Sequence, residues 1–122
     1  MENEKEFPGK IEIPLSTGIE WAKRFKQLNV EKEPLINAYL IPLESLEEIV
    51  KLKKTLGIDS ARAYIGINDS GEQNLMFVGA KLDPLTGVYK DVFTNQADIG
   101  ASVVYDGSRP CPPCADTQSP MN

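Results

Sequence analysis

Apolar residues recur along this chain at two periods, and the change from one to the other marks out its elements. Trp21, Ala22, Phe25 and Leu28 return at helical spacing, leaving Lys23, Arg24, Lys26 and Gln27 toward water. Ahead of them Thr17-Gly-Ile-Glu20 has capping-box form, so a helix is predicted over residues 19–28, with Trp21 and Phe25 in the core. Residues 36–41 read as a strand with Ala38 and Leu40 on one side, ended by Pro42. A second helix is predicted over 43–56, with Leu46, Ile49, Val50, Leu52 and Leu56 inward and Gly57 as its left-handed C-terminal cap.

The period then drops to two. Residues 61–67 alternate strictly, Asn68-Asp-Ser-Gly71 supplies turn chemistry, and 74–82 resumes as a longer strand, which together predict a hairpin. Met76, Val78, Ala80 and Leu82 share one face of the longer strand; Leu75 and Phe77 on the other imply cover on both sides. A turn at Asp83-Pro-Leu-Thr-Gly87 leads into a strand over 88–93, and 101–105 offers a last short strand. The alternation Ile11, Ile13, Leu15 among Pro8, Gly9 and Pro14 reads as an arm or edge strand. The expectation is one α+β domain, two helices on a largely antiparallel sheet of four to five strands. It divides into an N-terminal arm (1–15), a core (16–105) and a Pro/Cys-rich tail (106–122) docked on that core.

Composition narrows the chemistry. With 122 residues, 41% hydrophobic, the chain has the length of one ordinary domain and needs no disulfide to fold. It contains no histidine, which removes Ser-His-Asp and Cys-His nucleophile pairs, imidazole bases and His-ligated metals. The net charge of −5 is uneven: residues 1–62 hold 11 acids and 10 bases, residues 63–122 hold 7 acids and 3 bases. That argues against a nucleic-acid partner. Lys51, Lys53 and Lys54 are read instead as favourable charges at a helix C-terminus. No run approaches the ~20 apolar residues of a membrane span, and the acidic start lacks signal-peptide form, so cytoplasmic location without membrane partners is expected.

The run from Tyr105 to Asn122 holds both cysteines, Cys111 and Cys114, and four of the nine prolines. Cys-x-x-Cys spacing serves a redox pair, half a zinc site or a local staple. Thioredoxin-like chemistry needs a helix behind the first cysteine, and Ala-Asp-Thr-Gln-Ser-Pro-Met-Asn is too short and breaker-rich to supply one, although Arg109 is placed to lower a thiol pKa. Zinc needs four ligands; Asp106 and Asp116, or a second chain on a two-fold axis, would have to complete Cys111 and Cys114. The staple reading has the tail packed across the domain. Asp69, Asp83, Asp91 and Asp98 lack EF-hand spacing and read as turn residues. Arg62 and Tyr64 share a hairpin face and, if that face is open, offer a contact surface; if it is covered they must be hydrogen-bonded structural residues.

With Trp21, Ile41-Pro42, Tyr64-Ile-Gly66, Leu75-Met-Phe-Val-Gly79 and the tail from Pro110, the chain resembles a family of small uncharacterised Bacteroidota proteins with a C-terminal Cys-Pro-x-x-Cys-like tail. The resemblance implies the tail as a family mark and assigns no activity. The functional expectation is a non-enzymatic module that binds a protein or small molecule, without a cofactor, through the tail and its adjoining surface, which includes Arg109. Dithiol redox or thiolate-metal regulation through Cys111 and Cys114 is the rival.

Overall fold

The computed structural model describes residues 11–95 and 97–122. Its elements run α1 (Leu15–Leu28), β1 (Ala38–Leu40), α2 (Leu43–Leu56), β2 (Ser60–Ile67), β3 (Gln73–Asp83), β4 (Val88–Val92), a 3-10 turn at Ile99–Ala101, and β5 (Arg109–Cys111). This is the α+β class expected, with five antiparallel strands divided between a three-stranded sheet, β2-β3-β4, and a two-stranded ribbon, β1-β5. The chain forms two compact units, one spanning Ile41–Ser108 and the other 11–40 with Arg109–Asn122. Among the described residues no helix is long and apolar enough to cross a membrane.

In the first unit, α2 begins and ends where its signals place it. Pro42 fixes the entry at φ −66°, Glu44 opposes the positive helix end, Lys53 and Lys54 oppose the negative one, and Gly57 at φ 66° donates its N–H to the Lys53 carbonyl. Only part of the expected inward face is covered. Ile49 is buried, with Leu52 and Leu56 half-buried beside it, whereas Leu46 and Val50 are 39% and 68% exposed. The strip of α2 that meets β3 is narrow, so Leu46 and Val50 fall on its flank.

The β2-β3 turn is organised by Asn68, whose Oδ1 accepts from the Ser70 and Glu72 amides at 3.0 and 2.9 Å. On the α2 side of the sheet Ile49, Ile58 and Phe77 form the core, joined by Leu75, Val92 and Tyr105. Ile58 lies directly on β3 because residue 79 is glycine; a Cβ there would sit 2.8 Å from Ile58 Cγ2. On the other face Val78, Ala80 and Tyr89 are buried too, so β3 is covered on both sides as its pattern implied.

The last predicted strand, 101–105, shrinks to one bridge, in which Phe77 donates to the Tyr105 carbonyl at 2.7 Å and receives at 3.0 Å. Side chains replace the missing ladder: Ser102 Oγ binds both backbone groups of Asn95, and Thr94 Oγ1 accepts from the Val103 amide. Further along, Ser108 Oγ accepts from the Leu75 amide at 2.8 Å and donates to the Leu75 carbonyl at 2.9 Å, so one hydroxyl stands in for a strand partner.

In the second unit, α1 starts at Leu15, earlier than predicted, and makes no side-chain cap. The Pro14 carbonyl accepts from Thr17 and Gly18, which places Thr17 inside the first turn and dissolves the capping box. Trp21 and Phe25 were expected in the core; they are 52% and 45% exposed, and no residue of α1 is buried. The helix packs its Ile19 and Ala22 side toward Pro120–Asn122 instead. Residues 1–10 of the expected arm lie outside those described; Ile11 to Pro14 form no strand, and Leu15 belongs to α1.

Candidate functional site

β5 is built from Arg109, Pro110 and Cys111, paired with Leu40, Tyr39 and Ala38. Proline serves here because a two-stranded ribbon has a free side toward which its missing N–H can point. The Asn37 amide donates to the Cys111 carbonyl at 3.0 Å and extends the ribbon by one bond. Cys111 is 5% exposed and forms a disulfide with Cys114, Cα–Cα 4.6 Å. Pro112 and Pro113 make the turn between them. Cys114 Sγ lies 3.1 Å from the Pro110 carbonyl oxygen. A disulfide sulfur carries no proton, so this is a packing contact; once reduced, the same thiol is placed to donate.

Behind the disulfide the chain turns and does not form a helix. Asp116 Oδ1 accepts from the Gln118 amide at 3.1 Å, and Ser119 Oγ accepts from Met121. Together they frame a pocket of about 140 Å³ lined by Asn37, Ala38, Cys111, Cys114, Asp116 and Met121. Asp116 is thus engaged as a turn acceptor, while Asp106, in the other unit, accepts from Asn74 Nδ2 at 3.1 Å. No three Cys, Asp or Glu side chains converge among the described residues.

Arg62 and Tyr64 are brought together, and by a residue the sequence left in a turn. Asp91 sits in β4, opposite Ala80, not in a loop. Across the small Ala80 its carboxylate accepts from Arg62 Nη1 at 2.5 Å and from the Tyr64 hydroxyl, while Arg62 Nη2 donates to the Tyr89 carbonyl at 3.0 Å. The hydrogen bond to Asp91 holds the Arg62 pKa above its ordinary value and also raises that of Tyr64, whose phenol must keep its proton to make that bond. Tyr64 is therefore no base near neutrality. It is 45% exposed and both residues are hydrogen-bonded, so the face is partly open and the cluster rigid. Register is the signal that finds Asp91: once β4 is aligned on β3, Asp91 falls on the Arg62 and Tyr64 face. Arg109 belongs to the second unit and is exposed.

The chain matches no protein-family profile, no curated protein and no solved structure. Its function is read from the site alone.

Proposed function

We propose that this protein is a non-enzymatic interaction module whose contact region is the second unit, α1 with the disulfide-closed tail. One observation carries the reading: Trp21, Phe25 and Leu28, the apolar stripe of an amphipathic helix, are 52%, 45% and 85% exposed. Large aromatic side chains left half in water on a regular helix are the anchors that protein partners bury. Arg109 adds an exposed cation on the same unit.

The test is affinity capture from source cells with the full chain as bait, comparing wild type with Trp21→Ala/Phe25→Ala, Arg109→Ala and Arg62→Ala. A partner lost with the helix pair, weakened by Arg109→Ala and retained by Arg62→Ala supports the reading. Binding of the purified partner should then blue-shift the emission of Trp21, the chain's single tryptophan. Absence of any protein whose capture depends on Trp21 and Phe25 refutes it.

The disulfide favours a second reading, thiol chemistry at Cys111 and Cys114. We place the protein in the cytoplasm, where thiol pools hold most cysteine pairs reduced, so the closed pair would be its oxidised form. Insulin-reductase activity lost in Cys111→Ser, or stoichiometric zinc bound by the reduced chain, would move the assignment to that reading. Kinship with the Bacteroidota proteins it resembles is part of the same proposal.

A further inference from the structure

The outer edge of β2 is the strongest unexplained feature of the molecule. Phe77 exchanges both backbone hydrogen bonds with Tyr105, and Leu75 both of its with the Ser108 hydroxyl, so the peptide groups of these two residues turn away from β2. Their register partners are Ala63 and Ile65. In an antiparallel ladder, partners in such a wide pair point their N–H and C=O in opposite directions, so Ala63 and Ile65 present theirs outward, and by alternation Ala61 and Ile67 do the same. β2 ends the sheet, and no strand among the described residues meets that row.

The side chains of the same four residues stand on the α2 side, and all four are exposed, so α2 leaves this edge of the sheet uncovered. Ile65 and Ile67 are 68% and 69% exposed, and on α2 Leu43 and Val50 are 73% and 68% exposed. At the start of β2 a groove of about 390 Å³ opens between α2 and the strand, lined by Ile49, Val50, Lys53, Ile58 and Ala61 among others. An unpaired strand edge flanked by uncovered apolar side chains is a template for another strand.

We propose that the strand is β2 of a second copy, paired antiparallel about a two-fold axis at Ala63 so that two three-stranded sheets become one continuous sheet. In that register Ala61 lies opposite the partner's Ile65, small against large, and Arg62 opposite the partner's Tyr64, a cation beside an aromatic ring. The charges on α2 select this occupant over an unrelated peptide. Its first half carries Glu44, Glu47 and Glu48 and its second half Lys51, Lys53 and Lys54. The two-fold axis sets the helices antiparallel, acidic half against basic half. Among the described residues Glu44, Glu47, Lys53 and Lys54 form no ion pair within the chain. The spacing suits long side chains: three strand separations put β3 about 14 Å from the partner's β3, and helices about 10–12 Å across leave a gap of about 2–4 Å over the seam that Glu and Lys side chains can bridge.

The test is sedimentation equilibrium of the full chain with hydrogen exchange on the same sample. A concentration-dependent dimer is expected, with slowed exchange at the amides of Ala61, Ala63, Ile65 and Ile67 that speeds up on dilution. Ile65→Lys, at an exposed position that leaves the β3 ladder intact, should weaken association by about tenfold or more. Glu47→Lys should weaken it at low salt, and Glu47→Lys combined with Lys54→Glu should restore it. A monomer at all accessible concentrations overturns the proposal. So does protection of the four amides in a monomer, which would assign the edge to the chain's own residues, and so does a dimer indifferent to Ile65→Lys and Glu47→Lys.

Discussion

Opening the Cys111–Cys114 disulfide should cost the protein little, and the reason is the length of loop it closes. The cysteines are three positions apart. A four-residue loop loses about 6 cal/mol/K of unfolded-state entropy on closure, or about 2 kcal/mol at 25 °C. Pro112 and Pro113 fill the loop and already restrict the reduced unfolded chain, so the cross-link has less freedom left to remove. An effect of about 1–2 kcal/mol is therefore expected. Urea denaturation followed by Trp21 fluorescence reads the unit that holds the disulfide. Three species separate the contributions: oxidised wild type, reduced wild type, and Cys111→Ala/Cys114→Ala. Oxidised minus reduced isolates the cross-link, and the alanine variant adds the packing lost at Cys111, a residue 5% exposed. The m-value should hold, because so short a loop changes little of the surface exposed on unfolding. A loss above about 4 kcal/mol on reduction, beyond what loop closure supplies, or a reduced chain with no cooperative transition, would refute the reasoning and make the disulfide a condition of folding.

Phe77→Ala should destabilise the first unit by about 3–5 kcal/mol in thermal or urea unfolding, since it empties the centre of the Ile49, Ile58 and Phe77 core. Ser108→Ala leaves the Leu75 amide and carbonyl without their shared partner and should cost about 1–3 kcal/mol, with faster exchange at the Leu75 amide as the specific readout. By site-resolved NMR, Tyr64 should titrate above its ordinary value of 10.0, and Asp91→Asn should bring it down by removing the negative charge and one of the two acceptor oxygens. The sign follows: a raised folded pKa contributes stability that is complete below 10.0 and is lost as pH rises through the folded value, and Asp91→Asn should flatten that alkaline loss. Asp83, held low first by Lys90 and then by the Leu85 amide, makes the opposite contribution, present above 3.8 and lost as pH falls through its lower folded value. Asp83→Asn should therefore reduce the acid dependence of unfolding.

Legibility tracked how local each signal was. α2 and the β2-β3 hairpin were readable because Pro42, Gly57 and Asn68 set their ends through contacts a few residues away. The start of α1 was misread because Thr17 and Glu20 fit a capping box that Pro14 pre-empts by opening the helix earlier. Its stripe was misread because periodicity reports an apolar face and not what covers it. β5 was invisible: Arg109-Pro-Cys111 has no strand propensity and owes its conformation to Ala38–Leu40, some seventy positions away. The site divided the same way. Period two set Arg62 and Tyr64 on one face, but Asp91 reaches them only through a register on β3 that no local pattern encodes.

The pairing of Leu40 with Arg109 has a consequence for how the chain is assembled. The polypeptide leaves the ribbon at Leu40, builds the whole of Ile41–Ser108, and re-enters directly opposite the point of departure. That segment is topologically a cassette whose two ends are neighbours, the arrangement in which domain insertion and circular permutation are tolerated. It also separates local from non-local contacts. The helix and hairpin of the cassette close over short loops, whereas the ribbon joins strands some seventy positions apart, the more non-local contact. The unit that carries the cysteines is thus assembled from two stretches of chain, one on each side of the cassette.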